Sequence, residues 1–447
     1  MKIVKASEVG EYAIEKMLTK ASFDEVELSP KIREANKKTF GRDMTAAELV
    51  RQIVGDVRRE GDAAVIRYTS LIDRVDYKPE DFLVTEAEYE AAEKAADPAV
   101  VESLRKAAEN VRRYHQEQKP NSWMTYREKG SILGQSIIPL DRVGIYVPGG
   151  TAAYPSSVIM NAVPASVAGV GEIIMMVPPK NGKINPYVLI AARAAGVKKI
   201  YKIGGAQAIA AMAFGTETIP RVDKITGPGN IFVTLAKKEV YGHVDIDMLA
   251  GPSEILIVAD KTADPVYTAA DMLSQAEHDP LASSIVITDD EELAGKVAKE
   301  AEKQLAKLPR REIAQASIDR NGLIVVAEDM MQAMRFANVS APEHMELLTE
   351  QPFQLLPYVR HAGAVFLGAY SPEPLGDYFA GPNHVLPTGG TARYYSVLNV
   401  ETFMKRTSII SYTQPALSDV SEDIIRLAET EGLQAHANAI RIRREQK

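Results

Sequence analysis

The 447-residue chain contains no cysteine. A disulfide framework is therefore excluded, and so are a thiolate nucleophile and a thiolate metal ligand. Any transition-metal site must be built from histidine, aspartate, glutamate or an amide oxygen. Histidine itself is scarce, with seven copies, so groups of histidine and acidic residues are the places to look for chemistry.

The chain also lacks a long uninterrupted apolar segment. Its longest uncharged stretch, residues 143–171, is broken by several prolines and glycines, so it does not predict a membrane helix. The N-terminal residues show no apolar segment of the signal-peptide kind, and we expect a cytoplasmic protein. The net charge of −8 at pH 7 argues against a nucleic-acid partner, which usually requires a basic surface.

The order of apolar segments predicts the fold class. Residues 1–125 are predicted to be mostly helical, and a capping-box pattern at Thr45 and Glu48 opens one of these helices. From residue 142 onward, short apolar runs such as RVGIYVP, EIIMMVP, EILIVAD and SSIVITD alternate with helical stretches. This alternation predicts an α/β protein with mainly parallel sheets, and functional sites at the carboxyl ends of the strands.

The segment SQAEHDP, residues 274–280, places two metal-ligand types close together. Gln275 and His278 are three residues apart at the end of a predicted helix, so they share one face. They could form a polar final turn in which His278 faces the helix dipole. They could instead hold a metal, with Asp377 and His436 as further ligands, in a set that suits zinc. The spacing leaves both interpretations open.

A second polar pair, Glu343 and His344, lies in the segment SAPEHMELLT. Ser340 and Glu343 match a capping box, so Glu343 could simply cap a helix. An adjacent acid and imidazole could instead divide proton transfer between two reaction steps. In contrast, His115 lies in the charged segment RRYHQEQK and is expected to be solvent-exposed on a helix.

Two glycine-containing segments are candidates for ligand contacts. Ser253 follows the Gly-Pro turn of AGPSEILIVAD and is either a turn residue or a substrate contact. The segment IGGAQAIAAMAFGT predicts a strand, a Gly-Gly turn and a helix, and such a helix N-terminus suits a phosphate. The chain has no G-x-G-x-x-G, so the usual dinucleotide fingerprint is missing.

Several long motifs resemble those of the histidinol dehydrogenase family, in the family's order, from about residue 30 to the C-terminus. They are DMLAGPSEILIVAD, LSQAEHDP, SAPEHMELL, PLGDYFAGPNHVLPTGGTAR and EGLQAHANAI. The resemblance implies oxidation of L-histidinol through L-histidinal to L-histidine, the last step of histidine biosynthesis, with two NAD⁺ used in succession. It also implies bound zinc and a homodimer with shared active sites.

The resemblance implies two incomplete Rossmann-like βαβ domains with a helical N-terminal segment and a small C-terminal helical tail. The boundaries expected are residues 1–25 for an N-terminal arm, 26–141 with 250–380 for the catalytic domain, 142–249 for the NAD domain, and 381–447 for a tail that reaches the partner.

The resemblance also assigns roles to residues of this chain. His344 would act as general base, and Glu343 would activate the water that hydrates the aldehyde. Zinc would be held by Gln275, His278, Asp377 and, from the partner subunit, His436. Substrate contacts would be Ser253, Gln275, His278, His344, Asp377, His384, Glu431 and His436. NAD⁺ contacts would be Tyr146, Gln207 and Asn230.

Three other functions are alternatives. The first is a related dehydrogenase of another small polyol, such as a sulfonated diol. Glu431 and His384 favour histidinol over it, because they suit a substrate with a cationic amine and an imidazole. The second is a zinc hydrolase with Glu343 as base, and the third is a metal-stabilised scaffold without catalysis.

Overall fold

The computed structural model describes residues 1–20, 30–149 and 154–445. The chain forms two compact units. The larger unit contains residues 1–118 and 141–403, and the smaller contains residues 119–140 and the chain from residue 404 onward.

The strands of the described residues are β1 (Lys2–Lys5), β2 (Trp123–Tyr126), β3 (Ile132–Pro139), β4 (Arg142–Tyr146), β5 (Glu172–Met176), β6 (Lys199–Tyr201), β7 (Lys224–Thr226), β8 (Asp245–Ile246), β9 (Glu254–Ala259), β10 (Ser283–Thr288), β11 (Gly322–Val326), β12 (His344–Leu348), β13 (Ala364–Leu367) and β14 (Met404–Ser411).

The helices are α1 (Ala6–Val9), α2 (Glu11–Leu18), α3 (Pro30–Phe40), α4 (Ala46–Glu60), α5 (Asp62–Tyr68), α6 (Glu86–Ala95), α7 (Pro98–Gln116), α8 (Pro155–Ala168), α9 (Pro186–Ala195), α10 (Gly205–Phe214), α11 (Ile231–Val240), α12 (Pro265–Ala276), α13 (Glu291–Leu305), α14 (Arg311–Asn321), α15 (Met330–Ser340), α16 (Pro352–Leu355), α17 (Glu373–Tyr378), α18 (Gln414–Thr430) and α19 (Gln434–Glu445).

The first sheet has six parallel strands in the order β1-β11-β10-β9-β12-β13. Its central strands, EILIVA and SSIVIT, are buried along their whole length, as expected for a parallel sheet covered by helices on both faces. From β9 to β13 the strands follow the order 3-2-1-4-5, which is typical of a doubly wound sheet. The edge strand β1 is added beside β11, with Lys2 opposite Leu323.

The second sheet repeats this order with five parallel strands, β6-β5-β4-β7-β8. Helices α8 to α11 connect its strands in sequence. The chain leaves β4 towards β5 on one side, whereas β7 lies on the other side of β4. The carboxyl ends of β4 and β7 therefore border a topological switch point, where doubly wound sheets bind their ligands.

Helix α4 belongs to the core of the second sheet. Its predicted capping box is confirmed, because the Thr45 hydroxyl accepts from the Glu48 N–H and the Glu48 carboxylate accepts from the Thr45 N–H. The buried side chains of α4, among them Ile53, share one apolar cluster with residues of α10 and α11. The predicted boundaries assign these residues to the catalytic domain, whereas their side chains pack in the other core.

Two further predicted boundaries differ from the structure. The N-terminal arm was expected to be helical over residues 1–25, but Lys2–Lys5 form a strand, which is too short for its periodicity to be recognised. Residues 21–25 of that arm lie outside the described residues. The tail was expected to begin at residue 381, whereas the smaller unit begins at residue 404 and also includes residues 119–140.

The smaller unit combines an antiparallel sheet with a helix pair. Its strand order is β14-β3-β2, with Met404 opposite Pro139 and Trp123 opposite Gln135. Helices α18 and α19 pack through Ile425, Ala428 and Ala437. In the part of the chain that the structure describes, no helix is both long and apolar enough to cross a membrane.

Candidate active site

The main chain of Glu254, at the start of β9, contacts both members of the Glu343–His344 pair. The Glu254 N–H donates to Glu343 Oε2 at 2.8 Å, and the Glu254 carbonyl accepts from His344 Nδ1 at 2.9 Å. Because β9 and β12 are parallel neighbours and His344 lies opposite Ile255, the pair lies at the amino edge of the first sheet. The prediction of a site at the carboxyl ends of strands is therefore wrong for this pair.

Glu343 is not a helix cap. Helix α15 ends at Ser340, Ala341 follows in the left-handed conformation with φ 47°, and β12 begins at His344. Pro342 explains the break, because a residue before proline is disfavoured in the helical conformation. Glu343 therefore lies at the edge of the sheet, where it is 6% exposed. The capping-box interpretation of Ser340 and Glu343 is wrong.

One nitrogen of His344 is free to act as a base. A carbonyl oxygen can only accept, so Nδ1 carries the proton that it donates to Glu254. In the neutral ring, Nε2 then carries the lone pair. Nε2 is buried and has no hydrogen-bond partner among the described residues. It lies 4.0 Å from Asp377 Oδ1 and 4.0 Å from Glu373 Oε1.

Strand β12 also positions the acidic residues opposite His344. Side chains alternate along a strand, so Glu346 is on the same face as His344. Its Oε1 accepts from the N–H of Glu373, the first residue of α17, at 2.9 Å. Glu373 and Asp377 are four residues apart on this short helix and therefore face the same direction. Together with His344 they form a group of metal-ligand atoms that lie within 4.8 Å of one another.

Burial and neighbouring charges set the protonation of these groups. Burial raises the pKa of Glu343 well above its usual value, and it lowers the pKa of His344. Burial and the adjacent Asp377 raise the pKa of Glu373 to about 9. Burial also acts to raise the pKa of Asp377, but the adjacent His384 outweighs it and holds this pKa below the usual range. At neutral pH Asp377 is therefore ionised, whereas Glu373 keeps its proton.

His384 connects this group to the second sheet. Its Nδ1 lies 3.1 Å from the carbonyl oxygen of Asp377 and 3.5 Å from Asp377 Oδ1. Its Nε2 lies 3.5 Å from the Ser157 hydroxyl, in the first turn of α8, which begins at the carboxyl edge of the second sheet. The amino edge of the first sheet and the carboxyl edge of the second therefore meet at His384.

A cavity of about 430 Å³ opens beside these residues. His344, Asp377 and His384 line it together with apolar side chains such as Phe366 and Leu386. A cavity of this size and mixed lining suits a small polar molecule with an apolar portion.

Gln275 and His278 lie at the end of α12, as predicted. Gln275 is 1% exposed, and its Oε1 has no hydrogen-bond partner in the described structure. His278 lies two residues beyond the helix, and its Nδ1 donates to the carbonyl oxygen of Ser274 at 3.0 Å. This contact fits the helix-end interpretation, yet it also leaves Nε2 with a free lone pair, as a metal ligand requires.

The remaining predicted substrate residues are in two places. Ser253 directly precedes β9 and is half-buried, next to the Glu254 peptide that contacts Glu343 and His344. Glu431 and His436 belong to the smaller unit, where Glu431 is the C-cap that follows α18 and His436 lies in the first turn of α19. Both are exposed.

The predicted cofactor residues surround the carboxyl edge of the second sheet. Tyr146 ends β4, and its buried hydroxyl accepts from the Gly205 N–H at 3.1 Å. Gln207 is fully buried in α10; its Nε2 lies 3.4 Å from the Asp73 carboxylate, and its Oε1 is unpaired among the described residues. Asn230 follows β7 and caps α11, with its side-chain oxygen accepting from the N–H groups of Phe232 and Val233.

The sequence of most of the chain matches known proteins. The family model described as histidinol dehydrogenase matches residues 36–444. The histidinol dehydrogenase of Heliobacterium mobile is 55% identical over 408 residues, which cover 91% of this chain and 95% of the relative. The corresponding protein of Bacillus subtilis is 56% identical over 395 residues, with 88% and 92% covered.

The chain belongs to the histidinol dehydrogenase family.

The fold agrees with this family. A crystal structure of histidinol dehydrogenase from Elizabethkingia anophelis superposes with a TM-score of 0.89 at 35% identity, covering 99% of this chain and 98% of the other. The predicted α/β class with parallel sheets and a helical tail is confirmed. As a member of the histidinol dehydrogenase family, the chain is an oxidoreductase.

The sequence-based prediction for this member of the histidinol dehydrogenase family did not include Glu373 or the main-chain groups of Glu254. The sequence carries a signal for Glu373 only. Glu373 precedes Asp377 by four residues in PEPLGD, a spacing that places both carboxylates on one helical face. The main-chain groups of Glu254 carry no signal of their own. His115 was also misjudged, because it is fully buried, with its Nδ1 2.7 Å from the Val111 carbonyl oxygen and its Nε2 3.4 Å from Asn383 Nδ2.

Proposed function

We propose that the chain oxidises L-histidinol to L-histidinal and then to L-histidine, with one NAD⁺ reduced in each step. The observation that carries this proposal is the arrangement of His344. Its Nε2 is buried, carries a lone pair and has no partner among the described residues. The residue lines the cavity, and its Nδ1 lies 3.6 Å from Oε2 of a second potential base, Glu343. Two bases at one site suit a reaction with two proton-transfer steps.

In the first step, His344 takes the proton of the alcohol. A hydride leaves the carbinol carbon for NAD⁺ as this proton leaves the hydroxyl, and the aldehyde forms. The Glu254 carbonyl holds the ring by Nδ1, so Nε2 keeps a fixed direction. Burial lowers the pKa of His344, which keeps the ring neutral and able to accept a proton at neutral pH.

In the second step, Glu343 takes a proton from the water that adds to the aldehyde. The loss of the second hydride must be accompanied by the loss of a hydroxyl proton. The aldehyde has no hydroxyl group, whereas its hydrate has two. Hydride transfer from the hydrate to a second NAD⁺, with transfer of one hydroxyl proton of the hydrate to His344, gives the carboxylic acid. The Glu254 N–H fixes one oxygen of Glu343, and the other oxygen stays available for water.

Two residues at the end of α12, together with Asp377 of α17, offer donor groups that suit zinc. Gln275 offers an unpaired buried amide oxygen, His278 a free Nε2, and Asp377 an ionised carboxylate. This is a thiolate-free donor set of a kind that zinc accepts. When bound, zinc supplies a template for the imidazole and amino nitrogens of the substrate. Protonated Glu373, by donating a hydrogen bond to Asp377, would orient that ligand.

NAD would bind at the switch point of the second sheet, near Tyr146, Gln207 and Asn230. The buried, unpaired Oε1 of Gln207 supports this placement, because such an atom is costly unless a ligand pairs with it. Asn230 would contribute its amide nitrogen or main chain, since its side-chain oxygen caps α11.

We further propose a homodimer in which His436 of the partner subunit completes the zinc ligands. Glu431 from the same helix pair, together with His384 and Ser253, would contact the substrate. The exposure of Glu431 and His436 within their own unit supports a role towards another copy of the chain. The cytoplasmic location stays a prediction.

The deciding experiment measures NADH formed per L-histidinol consumed. We expect two. A value of one with accumulation of the aldehyde would remove the second oxidation, and no NADH from histidinol would overturn the proposal. A sulfonated diol as parallel substrate tests the related dehydrogenase, and product formation without NAD⁺ would indicate a hydrolase.

A further inference from the structure

A buried ion pair lies beneath the loop that follows β7. Lys237 of α11 and Asp247, just beyond β8, form a salt bridge with side chains that are 3% and 1% exposed. A buried pair of this kind rarely contributes much net stability, because removing both charges from water costs about as much as their attraction returns. Its position is therefore better explained by what it holds in place.

The pair holds one peptide unit from both sides. Lys237 Nζ donates to the carbonyl oxygen of Gly227 at 3.0 Å, and Asp247 Oδ2 accepts from the Gly227 N–H at 2.8 Å. Both polar main-chain groups of Gly227 are thus bound by the two charged side chains. We call Lys237, Asp247 and Gly227 the clamp.

The clamped glycine is pressed against β4. Gly227 has φ +110°, and a Cβ atom placed on it would lie 2.0 Å from the carbonyl oxygen of Tyr146. No residue other than glycine fits this close approach of two main chains. The clamp therefore fixes the separation of β4 and β7 at their carboxyl ends, which is the topological switch point of the second sheet.

The clamp also determines where α11 begins. Residues 227–230 have the sequence GPGN and lead directly into α11, which Asn230 caps. Lys237 is itself on α11, seven residues beyond the cap. A displacement of Gly227 would shift the first turn of α11, and with it the N–H groups that face the edge of the sheet.

We propose that Lys237 and Asp247 are positioning residues for the dinucleotide, which set the affinity for NAD by fixing the loop between β7 and α11. This inference rests on the proposed function, in that NAD is taken to bind at the switch point. The pair touches neither the substrate cavity nor the Glu343–His344 pair. Its loss should weaken NAD binding and leave the chemical step at saturating NAD⁺ almost unchanged.

The test uses two variants and a matched control in the full-length protein. Lys237→Met removes the donor to Gly227 and keeps the apolar stem, but it leaves Asp247 buried without a counter-charge. The double variant Lys237→Met with Asp247→Asn removes that charge as well. Glu172→Gln is the control, because Glu172 pairs with Arg142 and Lys199 at the opposite, amino edge of the same sheet.

Three quantities are measured for each protein: the Kd of NADH by fluorescence titration, kcat and KM with histidinol, and the melting temperature. We expect Kd and KM for the dinucleotide to rise about tenfold to a hundredfold in both clamp variants, as for a displacement of about 1 Å at a binding site. The kcat at saturating NAD⁺ and the KM for histidinol should change less than about threefold, which is well below the rise expected for the dinucleotide constants. The double variant should melt above the single variant, and the control should bind NADH normally.

A double variant that binds NADH as the wild type does would overturn the proposal. The proposal would also be overturned if the Kd for NADH rose equally in the control, because the weaker binding would then be caused by general destabilisation of the sheet. If neither clamp variant folds, the pair is structural and the proposal fails. Because NADH binding needs no turnover, a wild-type protein that binds NADH but does not oxidise histidinol would overturn the proposed function and leave this inference standing.

Discussion

His344 donates a hydrogen bond from Nδ1 to the carbonyl oxygen of Glu254 at 2.9 Å, although the two residues are ninety positions apart in the chain. The same residue, Glu254, donates its N–H to Glu343. One peptide segment thus holds an imidazole and a carboxylate side by side at the same sheet edge. The proposed division of labour between the two bases follows from this arrangement, and it can be tested residue by residue.

Glu343→Gln should slow the oxidation of histidinal far more than that of histidinol. Removing a positioned general base costs about 10²–10⁴-fold in rate. The glutamine oxygen can still accept from the Glu254 N–H, so the variant should fold. Single-turnover NADH formation, started separately from histidinol and from histidinal, measures each step. Equal and small losses in both steps would return Glu343 to a structural role.

His344→Ala should slow the alcohol step at least as much as the aldehyde step, again by about 10²–10⁴-fold. The physical reason is that the first step has no water to activate and needs only a base for the hydroxyl proton. The same single-turnover assay applies. Imidazole added to the buffer serves as a control, since partial recovery of the rate shows that the lost group was the base. Normal histidinol oxidation in this variant would contradict the assignment.

The aldehyde step should become faster as the pH rises above the usual range for a glutamate. Burial raises the pKa of Glu343, and a general base works only in its ionised form, so protonated enzyme at lower pH is inactive in this step. The pH profile of histidinal oxidation tests this. In Glu343→Gln the rise should disappear. A profile that is already flat from acidic pH upward in the unsubstituted protein would show that another group takes the proton.

Removal of zinc with a chelator should abolish turnover, and added zinc should restore it. In the metal-free protein, Gln275 Oε1 and His278 Nε2 would have no metal ion to coordinate. Binding of histidinol, measured by calorimetry in the presence and absence of zinc, gives a second readout. Full activity in protein shown by elemental analysis to be metal-free would exclude a role for zinc.

Mixing inactive His278→Ala chains with inactive His436→Ala chains should restore part of the activity after subunit exchange. If His436 acts on a second copy, one site of a mixed dimer carries both defects and the other carries neither. Differently tagged chains allow the mixed dimers to be isolated and assayed. Pure mixed dimers without activity would show that His436 is not shared between copies.

The sequence predicts the strands of the two sheets well because these strands are continuous apolar runs, such as EILIVA in β9. Such runs reflect burial on both faces, which is a local signal. His115 shows where local signals fail. It lies among charged residues, but it is buried against Asn383, which is 268 positions away in the chain.

Glu343 illustrates a different limit. Its distance from Ser340 matches a capping box, and the pattern alone cannot reveal that Ala341 turns left-handed ahead of Pro342 and ends the helix. The sequence also could not predict which edge of the first sheet carries the site. Strand order and direction depend on how β9 and β12 pair, whereas the predicted carboxyl edge is only the usual outcome for such sheets.

The meeting of two opposite sheet edges at His384 has a consequence for protein engineering. The groups proposed for substrate chemistry are anchored in the first sheet, whereas those proposed for the dinucleotide belong to the second, and the two sheets have separate apolar clusters. Mutant libraries can therefore be built for each half independently. Selections for a new alcohol would vary apolar residues that line the cavity, such as Phe366 and Leu386. Selections for a new coenzyme would vary the loops after β4 and β7, and gains from the two can be combined in one gene.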